Sequence, residues 1–180
     1  MRKSIKKMVG IRVAVALLAV LLFSVMMTIN IMSIQHSEEM NTEAAQVLDR
    51  AQRAEAAHYK WSANLSNALY AGTEFTGSTD PTTCVLGQWL YGEAGTDNAT
   101  ILQLRNEMKP LHKELDQSAV QTLEMYKQSP SAAQSYYQNT IQKNLTTLVG
   151  KLDTVVEESR IITTESAANM KRAIAIMHAT

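Results

Sequence analysis

Apolar residues run without a charge from Val13 to Ile34, and beyond Ser33 they recur instead in alternating steps of four and three. The first pattern is that of a helix with apolar surroundings on every side, the second that of a helix with one buried face. At 1.5 Å per residue the 13–34 run extends ~33 Å, enough to cross the hydrocarbon core of a bilayer. Met40, Ala44, Val47, Ala51, Ala54, His58, Trp61, Leu65 and Ala68 then mark a bundle seam, and no Pro or Gly falls between Ser33 and Ala71. A membrane helix passing unbroken into a seam helix is predicted.

Gly72 to Thr83, with Asp80-Pro81, reads as a loop. A short helix over Cys84 to Tyr91 is expected next, capped by Thr82 or Thr83 and closed by Gly92. Gly95-Thr96-Asp97 is a second turn, with Thr96 or Asp97 as the following cap. The series Ile101, Leu104, Met108, Leu111, Leu115, Ala119, Leu123 and Tyr126 predicts another amphipathic helix. Pro110 interrupts it. A proline in a helix interior costs about 3 kcal/mol, which predicts a kink or break just before His112.

Ser129-Pro130 restarts the helix, and Ile141, Leu145, Leu148, Leu152, Val155, Ser159 and Ile162 alternate strictly by four and three. Met170 to Met177 has the pattern of the foot of a second membrane helix. The expected fold is all-α: an N-terminal transmembrane helix followed by an antiparallel four-helix bundle with one short helix. The divisions are a basic N-terminus at 1–12, the span at 13–34, a sensor region at 35–168 and the second foot at 169–180.

Charge orients this arrangement. Arg2, Lys3, Lys6, Lys7 and Arg12 precede the apolar run and Glu38-Glu39 follow it, which keeps the N-terminus in the cytoplasm and exports what comes after. The run exceeds the apolar core of a cleavable signal, and Thr28 to Met32 carries no small-x-small site, so a retained anchor in a bacterial inner membrane is the expectation. Over the whole chain 17 basic residues balance 17 acidic ones, which removes any electrostatic case for nucleic-acid binding.

A single cysteine excludes an internal disulfide and calls for another reason for an exported thiol. Taken singly, the candidate residues are unremarkable. His58 suits a hydrogen-bonded core position, Trp61 and Trp89 are core fillers, Cys84 suits a small buried apolar site, and His112 with Asp116 one turn on suits an ion pair. Together they hold a thiolate, two imidazoles and a carboxylate, the donors from which a tetrahedral zinc site is made.

His58-x-x-Trp61, Cys84-Val85-Leu86-Gly87-Gln88-Trp89-Leu90-Tyr91 and His112 closely resemble the chemoreceptor zinc-binding (CZB) domain, over roughly residues 50–125. The Cys-x-Leu-Gly-x-Trp step is the most specific piece. The resemblance implies a small helical bundle, generally homodimeric, that binds Zn2+ through three His and one Cys. It also implies a place in a chemoreceptor, such as a methyl-accepting chemotaxis protein, or in a diguanylate cyclase, sensing zinc or oxidants such as hypochlorous acid. His58, Cys84 and His112 match ligand positions, and Asp116 stands where the family's second paired His is expected. An alignment slipped by one turn would make His112 that second His and leave Met108 in place of the first. Asp116 is preferred, because a carboxylate ligates zinc and a thioether does so poorly. Location is a second departure, since domains of this family are mostly cytoplasmic.

The expected role is therefore the ligand-sensing region of a membrane-bound signal transducer whose cytoplasmic output domain lies outside this chain. Two alternatives have a different basis. A bundle with structural histidines would bind a small organic ligand, with Arg50, Arg53 or Arg105 holding a carboxylate; a membrane-anchored interaction rod would bind none. No Gly-rich phosphate loop, nucleophile elbow or paired catalytic carboxylate motif is present, so no enzymatic activity is expected.

Overall fold

The computed structural model describes residues 2–179, and these form helices joined by loops, with no strand among them. Helix α1 spans Arg2–Ala71, α2 Val85–Tyr91, α3 Ala99–Gln128, α4 Pro130–Tyr136 and α5 Gln142–Ala179, with a π turn at Tyr137–Ile141 between the last two. The chain divides into two compact units, Met1–Asn41 with Thr164–Thr180, and Thr42–Thr163.

In the first unit the apolar side chains from Met8 to Met32 are largely exposed, among them Leu17 at 66% and Val20 at 63%. Among the described residues one helix is long and apolar enough to cross a membrane, and the 13–34 run lies within it. The buried residues of this unit are small or polar: Asn30, Ser37, Ser166 and Ala173. Both pairs are seven residues apart, the spacing of a helix seam.

The second unit is a helical bundle around one core. Val47, Ala51, Ala54, Trp61, Leu65 and Leu69 of α1 meet Leu86, Trp89 and Leu90 of α2, Ile101, Met108, Leu115 and Ala119 of α3, and Ile141, Leu145, Leu148, Leu152 and Val155 from the π turn and α5. The predicted seam is thus buried, except that Met40, outside this unit, is 38% exposed. Polar bonds link α3 to α5 in opposite chain order: Asn98 to Glu158 at 3.1 Å, Glu107 to Lys151 at 2.6 Å and Glu114 to Asn144 at 3.2 Å.

Three local expectations are corrected. The cap of α2 is Cys84, whose sulfur accepts the Gly87 amide, because Thr82 and Thr83 turn back to Asp80 instead. The cap of α3 is Asn98, whose Oδ1 accepts the Ile101 amide at 2.9 Å, while Thr96 accepts from Asn98 itself. Pro110 does not break α3, which is continuous through it. Pro110 and Asn106, whose carbonyl loses its amide partner, are both exposed, so water can satisfy that carbonyl.

The π turn was not expected. Buried Ala133, Tyr137, Ile141 and Leu145 follow in three successive steps of four, more than an α-helix keeps on one face, and a wider turn absorbs the excess. A buried polar cluster pins it to α1: the Tyr137 hydroxyl lies 2.9 Å from Ser62 Oγ and donates to the Ser62 carbonyl, and Gln142 Nε2 reaches both hydroxyls.

Candidate metal centre

Three elements of the second unit bring the singled-out residues together. His58 sits in the buried face of α1, Cys84 at the start of α2, and His112 and Asp116 one turn apart on the buried face of α3. The loop that places Cys84 is tied to α1 by Trp61, whose Nε1 donates to the Ser78 carbonyl at 2.8 Å, and the loop that follows α2 is tied back to it by Trp89, whose Nε1 donates to the Ala94 carbonyl at 2.9 Å. Gly87 lets this loop close onto α2, since a Cβ there would lie 2.1 Å from the Pro81 carbonyl oxygen. Arg105 of α3 holds the other end of the short helix, donating to the carbonyls of Trp89 and Gly92. The Cys-x-Leu-Gly-x-Trp step therefore encodes a rigid mount for one sulfur.

Ligand-type atoms of His58, Cys84 and His112 all lie within 4.8 Å of one another. Cys84 Sγ is 3.2 Å from His112 Nε2, and Asp116 Oδ2 is 3.3 Å from the same nitrogen. A tetrahedral zinc with N and O ligands at about 2.0–2.1 Å and S at about 2.3 Å has edges of roughly 3.3 Å between N and O and 3.6 Å between N and S. The observed separations are close to these, with the His58 ring the one left to draw in. Asp116 lies outside the mutual set of three, yet its Oδ2 is buried and accepts no hydrogen bond, the approach to His112 being one of proximity only.

The remaining bonds suit a cation. His58 Nδ1 lies 2.7 Å from the Ala54 carbonyl, so it carries the proton and leaves Nε2 as the free lone pair, the second-shell pattern of metal-binding histidines. The two imidazole rings meet edge to face, centroids 5.1 Å apart. His112 Nδ1 is buried without a partner.

Burial lowers the pKa of both histidines, that of His112 to about 4 with His58 as a second cause. Burial also raises the Asp116 carboxyl to about 7, helped by the charge of Asp80, and raises the Cys84 thiol despite the Gly87 amide. Near neutrality the imidazoles are thus uncharged donors, whereas the thiol and much of the carboxyl must lose a proton to bind a metal. The donor set fits zinc: two neutral nitrogens, one sulfur and one oxygen of a carboxylate, with a net charge of two opposing that of the ion.

A half-open cavity of about 330 Å³ lies against this cluster, lined by Ala57, His58, Lys60, Trp61, Asn64, Thr76, Gly77, Ser78, Cys84 and Asp116. The arginines considered for an organic anion lie elsewhere. Arg53 pairs with Asp49 at 3.2 Å, Arg105 is bound to the end of α2, and Arg50 lies against Gly95.

A helical bundle in which a histidine from each of two helices and a cysteine capping a third converge is the kind of module that holds a metal ion. The family model described as the chemoreceptor zinc-binding domain matches residues 58–123, a stretch bounded by the first of these histidines and including all four candidate ligands. No curated protein and no solved structure matches the chain.

Proposed function

We propose that this chain is the sensing part of a bacterial membrane-bound signal transducer of the chemoreceptor type, with zinc held by His58, Cys84, His112 and Asp116. The convergence of the first three residues from α1, α2 and α3 carries the reading, and the match over residues 58–123 supports it. The 13–34 part of α1 is the anchor, Thr42–Thr163 forms an antiparallel four-helix bundle in which α4, the π turn and α5 make the fourth member, and the chain works as a homodimer. The basic flank supports a cytoplasmic N-terminus with the bundle outside; the usual cytoplasmic setting of the family argues the other way. An alkaline phosphatase reporter joined after Ala168 tests the topology: activity is expected, and an inactive reporter would place the bundle in the cytoplasm.

Bound zinc supplies a cross-link among three helices and a charge that holds the Cys84 sulfur as thiolate. The protein's own part is positional. Ala54 orients the His58 ring, the α2 cap aims the sulfur, and the Trp61 and Trp89 indoles hold the loops before and after α2. His58 lies on the helix that carries the apolar run, so a change in how α1 packs against α2 and α3 would be passed on through one continuous helix. Such a change, caused by gain or loss of the metal or oxidation of the thiol, would be the signal. Metal analysis of the purified full chain tests the site. About one zinc per chain is expected, lost in Cys84→Ala; a parent without zinc, or a Cys84→Ala protein that binds it as tightly, would refute the assignment.

A further inference from the structure

We propose that the cavity beside the metal cluster is a ligand site in its own right, one that takes a small monoanion with a short apolar body, such as a short-chain carboxylate, and presents its charged end to the metal. The inference rests on the zinc reading above and names what that site responds to.

Three observations point to it. His58, Cys84 and Asp116 line the cavity, so a molecule filling it meets three of the four candidate ligands, whereas His112 is not among the lining residues. At about 330 Å³ it is at the lower end of the range of small-molecule pockets, room enough for a small organic molecule. Asp116 is among its lining residues, is only 3% exposed, and has one carboxylate oxygen that is buried and accepts no hydrogen bond. Asp116 is also the donor outside the compact set of three; a zinc held by that set would have coordination capacity for a further donor from the cavity.

Charge selects the class. A divalent cation with one thiolate, one carboxylate and two neutral imidazoles sums to zero, and Lys60 on the cavity wall adds one positive charge, while Asp80, whose charge reaches Asp116, is not among the lining residues. A monoanion complements that sum, whereas a cation is repelled by it. Ala57 and the Trp61 ring supply an apolar side wall, and Asn64, Thr76 and Ser78 a polar one. The arginines first considered for such an anion play no part, because none of them lines this cavity.

The test uses the full chain in detergent, loaded with Co2+ in place of zinc, whose d–d bands report coordination and whose thiolate charge-transfer band reports Cys84. Azide, acetate and butyrate are then titrated in. Saturable changes in the d–d bands are expected, butyrate binding more tightly than acetate because its tail meets Ala57 and Trp61. Lys60→Gln, an exposed substitution, should weaken binding roughly two- to fivefold. Ala57→Leu, which narrows the cavity on its apolar side, should weaken the response, most of all to butyrate, while leaving the charge-transfer band in place. A chain that takes up no cobalt, or whose charge-transfer band survives Cys84→Ala, would refute the metal site and this proposal with it. A chain that binds cobalt through Cys84 but whose spectrum ignores all three anions would refute the proposal alone, as would a full response in Ala57→Leu.

Discussion

Metal uptake by this site should expel protons in a number that depends on pH in a specific way. In the metal-free chain the Asp116 carboxyl, raised to about 7, is mostly protonated at pH 6 and mostly ionised at pH 8. The His112 imidazole, lowered to about 4, is neutral at both, and His58 moves in the same direction. The Cys84 thiol is raised and keeps its proton at both. Zinc binding at pH 6 should therefore release about two protons per ion, one from sulfur and one from the carboxyl, and at pH 8 about one. Calorimetric titration in buffers of different ionisation enthalpy measures the number directly. Asp116→Asn should lower the pH 6 value to about one and leave the pH 8 value unchanged. Ordinary pKa values would also give extra protons at pH 6, but from the imidazoles, and Asp116→Asn would not alter them. A variant that still releases the parent's number at pH 6 would therefore refute the account of Asp116.

The same shifts set the stability of the metal-free chain. A carboxyl raised in the folded state costs stability as pH rises from its unfolded value of 3.8 through about 7, so metal-free Asp116→Asn should gain on the parent in thermal melts as pH goes from 5 to 8. Cys84→Ser should retain the cap of α2 but lose thiolate ligation, leaving the metal-free melting temperature close to the parent's, whereas Cys84→Ala should lose about 1 kcal/mol besides. Gly87→Ala forces the Pro81 carbonyl away from α2 and should cost about 1–3 kcal/mol, with weaker zinc binding as the loop carrying Cys84 shifts. Arg105→Gln removes the donors to the Trp89 and Gly92 carbonyls and should destabilise by ~1–2 kcal/mol, seen in denaturant unfolding.

Long-period features were legible in the sequence because they depend on many residues at once. The α1 seam from Ala44 to Ala68 and the α5 series from Ile141 to Val155 are buried as their spacing predicts. The motif placed Cys84 near His112, and the cap showed what spacing could not, that the sulfur is held by a backbone amide. Cap identities failed because several polar residues compete within a turn; Asp80 took Thr82 and Thr83, and Asn98 took the α3 amide. The break expected at Pro110 does not occur because the cost depends on which face the ring occupies. Lys60, Asn64 and Ser78 were missed as cavity residues since nothing in their types or spacing separates them from solvated surface. Three steps of four before Leu145 were the overlooked sign of the π turn.

That turn gives the last third of the chain some slack. It holds one residue more than the α turn it replaces, so excising the exposed Asn139 would let the flanking helices fuse with Leu145, Leu148 and Leu152 still facing inward. Excising Gly150, equally exposed and with nothing around it, would instead swing every later residue by about 100° and turn Leu152 and Val155 outward. Two shortenings of equal size, eleven positions apart, should thus differ sharply in thermal unfolding, the first mild and the second ruinous.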